Sequence, residues 1–350
     1  MTALRDIRTI DPTALSDEIV SWGEKAFRAK QIQEWLWAKK AKSFDEMSNL
    51  SLEFRTKLAE TFSINPVEIG ETQHAEDGTV KCAFKLSDGK IVEGVLIPTA
   101  KRMTACISSQ VGCSLSCAFC ATGKLDRLRN LDAAEMFDQV VLLDQIAQDK
   151  FGKGLSNIVY MGMGEPLLNY RNTIRSTELI TSEVGLGMAA KRITISTAGI
   201  AKMIHKMGDE KTRVNLALSL HAANDEKRSK IMPINEQNSI NALMQALRHF
   251  CDETGSRVTF EYILLKDLND GEEDAKELLK LCKKLEVKVN LIEYNPVDDV
   301  PFKRTASDKA DAFADYLNKR GVVAKIRRSR GKDIDAACGQ LANKNGFSET

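Results

Sequence analysis

The sequence predicts an α/β protein: a partial (β/α)6 TIM-like barrel, preceded by an N-terminal helical accessory domain and joined to it by a short β-hairpin linker. Three observations predict this architecture. Residues 1–70 carry apolar positions at helical spacing, residues 71–100 switch to two-residue alternation, and from about residue 104 strand-like and helix-like stretches follow one another repeatedly. A chain of 350 residues can hold one large domain with appendages or two ordinary domains, so size does not limit the core.

In the accessory domain, "EIVSWGEKAFRAKQIQEWLWAK" repeats its apolar residues every three or four positions, and "NLSLEFRTKLAETF" supplies a second, capped segment. The basic "WLWAKKAK" suits docking to a polyanion such as a nucleic acid, although a structural cap would read the same way. Next comes "TVKCAFKLSDGKIVEGVLIP", two alternating runs separated by Ser87-Asp88-Gly89, which is turn chemistry for a hairpin. The barrel, residues 101–330, then reads as "TACISS", a helix over 131–148, "NIVYMG", a helix over 172–184, "RITIST", a short helix and "RVNLALSL". It continues with a helix over 238–252, "RVTFEYILL", a helix over 272–284, "VKVNLIEYN", a helix over 306–319 and "VVAKIRR". That rhythm is the signature of βα units on a parallel sheet. Residues 331–350 lose periodicity and form a C-terminal loop.

Fifty basic residues against forty-nine acidic ones leave a net charge of +1, which excludes a surface coated in base but not local patches. The N-terminus "MTALRDIRTIDPTALSDEI" has no apolar stretch of the signal-peptide kind, and no run approaches a bilayer-spanning length. A cytoplasmic protein with no membrane contact is therefore expected. Thiols stay reduced in that compartment, so its eight cysteines point to metal binding or catalysis rather than to a disulfide framework.

In α/β barrels the chemistry gathers at the C-terminal ends of the strands. Here those ends are small or polar: Gly162-Met163-Gly164-Glu165-Pro166, then Ser196-Thr197-Ala198-Gly199, then Ser219-Leu220-His221, then Asn295-Pro296. Any one of them alone reads as a strand terminus or a helix cap. Their recurrence suggests a shared pocket, and "CSLSCAFCATGK" follows the first barrel strand and would face the same mouth. Cys113, Cys117 and Cys120 are three thiols, whereas a structural zinc site closes with four ligands. Three thiolates on a four-iron cluster leave the fourth iron free for a small chelating molecule. An incomplete zinc knuckle is the alternative.

The C-x3-C-x2-C spacing resembles the radical S-adenosylmethionine (SAM) superfamily, so the barrel is expected to be a radical SAM barrel holding one [4Fe–4S] cluster and SAM. The resemblance narrows further. "CISSQVGCSLSCAFCATG", "YMGMGEPLLNY", "ITISTAGI", "LALSLHAANDEKRSKIMPIN", "LIEYNP" and "RGKDIDAACGQLA" occur in the order seen in the RlmN/Cfr family, across most of residues 90–342. The family methylates adenine in large-subunit (23S) ribosomal RNA by a radical route. An aromatic C–H carbon is a poor nucleophile, so direct attack on the SAM methyl would be slow, and a radical avoids that limit.

By this resemblance Cys338 of "DAACGQL" first accepts a methyl group from one SAM molecule, and a second SAM supplies the radical that removes a hydrogen from the S-methyl. The resulting methylene adds to adenine. Cys106, seven residues before Cys113, matches the resolving cysteine, whose attack would leave a disulfide with Cys338, and Glu93 matches the proton acceptor. Residue chemistry alone would not single out Glu93, since a strand glutamate is usually a solvated side chain, nor Cys106, which alone reads as apolar filler. For SAM the resemblance points to Gly164, Glu165, Ser196, Ser219, Leu220, His221 and Asn295, with Glu165 as an anion opposite the ammonium. A structural role remains the alternative for the His221 side chain. Cys82, Cys251 and Cys282 match no motif and read as packing.

The target base must be unstacked to reach such a mouth. Lys101 and Arg102, Lys124, Arg127 and Arg129, and Arg327, Arg328 and Arg330 form three basic groups able to hold phosphates. The resemblance implies 23S rRNA as partner, with adenine 37 of transfer RNA as a second candidate, an external electron donor such as flavodoxin or ferredoxin, and a monomeric enzyme. Members of the family act at carbon 2 (the RlmN branch) or carbon 8 (the Cfr branch), and the acidic "RGKDIDAACGQLA" favours carbon 2. A non-catalytic iron–sulfur RNA-binding or assembly factor built on the same barrel is the alternative of another class.

Overall fold

The computed structural model describes residues 4–298 and 300–343. Its centre is a ten-stranded sheet. In chain order the strands are β1 Glu68–His74, β2 Val80–Lys85, β3 Ile91–Pro98, β4 Met103–Cys106, β5 Asn157–Tyr160, β6 Ile193–Thr197, β7 Asn215–Ser219, β8 Val258–Leu264, β9 Val287–Glu293 and β10 Val323–Arg327. They lie side by side in sequence order. From β4 to β10 every pairing is parallel, whereas β1 to β4 pair antiparallel. Among the described residues β10 pairs with β9 alone, and six βα units followed by a seventh strand form a partial barrel.

The parallel strands read as apolar runs because both of their faces are covered. In β8 every position except Thr259 is buried. Helices lie between the parallel strands: α4 Ala133–Phe151, α5 Tyr170–Thr181, α6 Ala201–Asp209, α7 Asp225–Ile231, α8 Ile240–Thr254, α9 Glu272–Cys282 and α10 Ser307–Asn318. The bounds of the long ones fall within three residues of those expected, set by local caps. In α4 the Asp132 carboxylate accepts from the Glu135 N–H at 2.8 Å, the Glu135 carboxylate accepts from the Asp132 N–H at 3.0 Å, and left-handed Gly152 ends the helix.

The expected hairpin is present as β2 and β3, turning at Ser87-Asp88-Gly89 with Gly89 at φ +78°. It is not a free linker but a continuation of the barrel sheet, since β3 pairs with β4, and β1 adds a further strand outside it. That outer strand carries no alternating signal because most of "EIGETQH" is solvent-exposed along the sheet edge. Near the N-terminus, α1 Pro12–Ser21, α2 Phe27–Gln33 and α3 Leu52–Thr61 pack together, with Trp22 stacked on Phe62 at 5.8 Å. Two contacts fasten these helices to the barrel. Trp37 meets Phe137 of α4 edge-on at 5.3 Å, and buried Arg8 bridges the Asp138 carboxylate at 2.7 Å and the Asn65 carbonyl at 2.6 Å.

Candidate active site

The loop after β4 curls tightly around the three cysteines. Cys120 N–H donates to the Cys117 carbonyl at 3.1 Å, Gly123 N–H to the Cys120 carbonyl at 3.1 Å, and Cys113 N–H to the Leu125 carbonyl at 3.3 Å. Only glycine fits at 123, because a Cβ there would stand 2.8 Å from the Cys117 carbonyl oxygen. The curl brings Cys113, Cys117 and Cys120 onto one cavity of about 160 Å³, which is also lined by Gly164, Glu165, Ser196, Ser219 and His221. Residues from four separate strand ends thus meet, as the small and polar termini suggested. Burial pushes the Cys113 thiol up to about 11 and raises Cys117 and Cys120 as well, with the neighbouring sulfurs adding to the rise in Cys117.

Opposite the cysteines, Glu165 is buried at the end of β5. Its carboxylate accepts from the Leu167 N–H at 2.9 Å and the Ala198 N–H at 2.7 Å, yet burial still raises its pKa. A cationic ligand in the cavity would reverse that penalty. Gly164 stands at φ +95°, and a Cβ on it would come within 2.5 Å of the Gln110 side chain, so the backbone passes where no other residue could. The Ser196 and Ser219 hydroxyls lie 3.5 Å apart across the ends of β6 and β7. His221, at φ +58°, accepts the Ile263 N–H on Nδ1 at 3.0 Å and meets Phe119 edge-on at 4.8 Å. Burial, and then the nearby Arg228, push its pKa down to about 3, so the ring is neutral.

Two expected SAM residues lie apart from the cavity lining. Leu220 is fully buried in the core, with its N–H donating to the Glu261 carbonyl at 3.0 Å and its carbonyl accepting from Arg228 at 3.1 Å. Asn295 is buried beside the C-terminal loop, where its Nδ2 donates to the Cys338 carbonyl at 3.3 Å while its Oδ1 has no partner. An orphaned buried acceptor at the rim of a site is a place where a ligand donor fits.

The C-terminal loop folds back over this mouth. The Ala121 N–H donates to the Gly339 carbonyl at 2.7 Å, the Thr122 hydroxyl to the Leu341 carbonyl at 2.6 Å, and Gln340 to the Pro296 carbonyl at 3.2 Å. Cys338 therefore arrives at the cysteine cavity although more than two hundred residues separate it from Cys120. It also lines a second cavity of about 120 Å³ together with Cys106, Met161 and Arg327. Cys338 is exposed and Cys106 buried. Burial, reinforced by Cys338, pushes the Cys106 thiol up to about 12, while the Arg327 guanidinium opposes the rise.

Glu93 does not face solvent as a strand glutamate usually does. It is 2 % exposed, its carboxylate 3.5 Å from the Lys81 ammonium, and its Oε2 accepts the Ala342 and Asn343 N–H groups at 2.9 and 3.1 Å. The basic groups are also less free than the sequence suggested. Arg129 pairs with Glu135 and Asp88, Arg327 with Glu261, Arg328 with Glu293, and Lys124 donates to the Asp298 carbonyl. Lys101, Arg102 and Arg127 are exposed.

One residue of the site escaped sequence reasoning. Arg228 on α7 is fully buried, donates to the carbonyls of Ala198, Ser219 and Leu220 and to Asn235 at 2.8 Å, and lies close enough to Cys117 for their charges to interact. It ties the ends of β6 and β7 together without a carboxylate in any of these contacts. The only signal is its place in "HAANDEKRSK", directly after a strand end, and nothing in those residue types marks one arginine as buried.

The donor set fits an iron–sulfur cluster with one open position: three half-buried thiols on one tight loop, an anion and hydroxyls opposite, and a cavity between them. Comparison with known proteins agrees. Residues 107–282 match the radical SAM superfamily, and residues 6–64 match the ribosomal RNA large subunit methyltransferase N-terminal domain. A probable dual-specificity RNA methyltransferase RlmN from Cytophaga hutchinsonii is 58% identical over 338 residues, covering 97% of this chain and 93% of the relative. One so named from Salinibacter ruber is 44% identical, covering 97% and 94%. Among solved structures, a radical SAM methyltransferase from Sphaerobacter thermophilus superposes with a TM-score of 0.89 at 40% identity, covering 96% of this chain and 99% of that one.

Proposed function

Because the chain belongs to the RlmN family of radical SAM RNA methyltransferases, we propose that it methylates carbon 2 of an adenine in the peptidyl-transferase centre of 23S rRNA by way of a methyl carried on Cys338. The observation that supports this reading most is the position of Cys338, which lines both the three-cysteine cavity and the cavity holding Cys106. A carrier must receive its methyl on one side and be released on the other. When bound, the [4Fe–4S] cluster and SAM of the radical SAM family supply a transferable methyl group and one-electron chemistry at carbon.

Cys113, Cys117 and Cys120 hold the cluster in this reading. Glu165 faces the SAM ammonium, Gly164 lets the backbone approach it, and Ser196, Ser219, His221 and Asn295 meet its remaining polar atoms, with Leu220 shaping the wall behind them. Neutral His221 holds its hydrogen on Nε2, because Nδ1 is an acceptor. The Cys338 sulfur presents the one-carbon unit to adenine. Release forms a sulfur–sulfur bond between Cys106 and Cys338 while the carbon–sulfur bond breaks, its electron pair staying with carbon, which takes a proton to become methyl. A thiol reductant then reopens the disulfide. The raised pKa of Cys106 keeps it a thiol until it is needed, and Arg327 is the group that favours its thiolate. Glu93 accepts the proton that leaves the adenine carbon, and the single electron that must leave with it would return to the cluster held by Cys113, Cys117 and Cys120. For this the C-terminal loop must give up its hold on the carboxylate, which Ala342 and Asn343 now occupy.

RNA docks on the N-terminal helices and on the exposed Lys101, Arg102 and Arg127, while the base is flipped into the mouth. The dual specificity in the relatives' names supports adenine 37 of transfer RNA as a second substrate. We place the enzyme in the cytoplasm as a monomer supplied with electrons by a flavodoxin or ferredoxin; no helix among the described residues is long and apolar enough to cross a membrane. The test is mass spectrometry of a peptidyl-transferase-centre RNA after anaerobic incubation with reconstituted protein, SAM and reductant. 2-Methyladenosine is expected. 8-Methyladenosine would assign the chain to the Cfr type of reaction, and unmodified RNA with an intact cluster would favour a non-catalytic RNA-binding role.

A further inference from the structure

On the outer surface, away from the mouth, α6 and α8 cross so closely that a Cβ on Gly208 would lie 2.8 Å from the His249 ring and 3.1 Å from the Phe250 backbone. The close approach stacks the His249 ring of α8 on the His205 ring of α6, centroids 3.7 Å apart and planes 10° from parallel. Asp209, one turn after His205, joins them: its carboxylate is 3.1 Å from His205 Nδ1 and 2.7 Å from His249 Nε2. One nitrogen from each ring and one carboxylate oxygen all lie within 4.8 Å of one another. None of this serves the chemistry at the strand ends.

We propose that His205, Asp209 and His249 form a surface site for a divalent transition-metal ion of the zinc class, clamping α6 to α8. Two imidazoles and a carboxylate are the donors such ions prefer, and three protein ligands leave a fourth, tetrahedral position for water. Bonds of about 2.0–2.2 Å place ligand atoms roughly 3.3 Å apart, so the site needs small movements of exposed side chains and a tilt of the stacked rings. Each neutral ring moves its proton to its other nitrogen and releases none. The Asp209 carboxylate is exposed and already turned towards both ring nitrogens, so an ion can enter among the three. Neighbouring lysines do not compete for the carboxylate, since Lys206 pairs with Glu210 at 3.5 Å and Lys211 with Glu253 at 3.7 Å. The groove beside the rings is floored by Ala201, Ala242 and Ala246 and leaves the donors open to solvent.

The experiment titrates anaerobic holoenzyme, with its cluster in place, with zinc against a chromogenic chelator, and with cobalt(II) as a spectroscopic probe. Wild type is expected to bind one zinc per chain at least tenfold more tightly than His205→Ala, Asp209→Asn or His249→Ala. Bound cobalt should show absorption of a nitrogen and oxygen site without a sulfur charge-transfer band. Equal zinc uptake and affinity in wild type and variants would overturn the proposal, as would cobalt binding carrying a sulfur band that the substitutions leave unchanged. Should His249→Ala fail to fold, His205→Ala and Asp209→Asn alter exposed side chains and decide the matter themselves.

Discussion

The pair formed by Lys81 and Glu93 offers a prediction that needs neither cofactor nor RNA. Their side chains are 5 % and 3 % exposed and their charged atoms stand 3.5 Å apart. At an effective dielectric of about 20 the attraction is roughly 5 kcal/mol, and removing one partner of a buried pair costs about 3–5 kcal/mol because the other is left uncompensated. Glu93→Gln strands the Lys81 ammonium, whereas Lys81→Met leaves a carboxylate that still accepts two backbone N–H groups from Ala342 and Asn343. The first change should therefore destabilise more than the second, and the double variant should regain much of the loss. Urea unfolding of the reduced, cluster-free chains gives the cycle, with an expected coupling of about 3 kcal/mol or more. Amide exchange at 342 and 343 should quicken in Glu93→Gln alone. A coupling below about 1 kcal/mol, the range of exposed ion pairs, together with unchanged exchange at those amides would refute the reasoning.

Cys338→Ala should retain cluster absorbance and SAM binding and lose all methyl transfer; product at the wild-type rate would remove Cys338 as carrier. Cys106→Ala should halt at a covalent protein–RNA adduct, visible as a shifted band on a denaturing gel that nuclease collapses. The His221 pKa falls from 6.5 in the unfolded chain to about 3 in the fold. Protonation therefore favours unfolding, and this group's stabilising effect is complete above pH 6.5 and declines as the pH drops towards 3, by at most about 5 kcal/mol. His221→Gln should show a correspondingly shallower acid loss in urea midpoints taken across that range. Arg228→Gln, which removes a buried positive charge from beside Cys117, should lower the cluster's reduction potential in an EPR-monitored titration, and an unchanged potential would make the residue purely structural.

What could be read from the sequence depended on whether one residue's surroundings are set locally. The parallel strands were legible because burial on both faces leaves continuous apolar runs, and the cysteine loop because its ligands share eight positions. The strand β1 was not, since an exposed edge has no apolar face to alternate. Glu93, Arg228 and the basic groups are hard to read from residue chemistry for one shared reason: a charge looks solvated until the partner that buries it is known. Lys81 is twelve residues from Glu93 in sequence but across the hairpin in space, and the acceptors of Arg228 are mostly backbone carbonyls, which no sequence pattern displays. Cys338 was reached through its motif; its place between two cavities follows from tertiary folding alone.

The C-terminal arm that carries Cys338 hangs from the last strand by one connection. All ten strands of the sheet are complete at Arg327, and residues 332–343 are held by hydrogen bonds and by the packing of Ala336 and Leu341 rather than by sheet pairing. A break in the peptide chain near residue 331 would therefore divide possession of the reagents from their delivery. The remaining body would keep the N-terminal helices and the loop of Cys113, Cys117 and Cys120 but lose the Cys338 sulfur. On the proposed roles, such a cleaved chain should still take up SAM and dock RNA while transferring no methyl group.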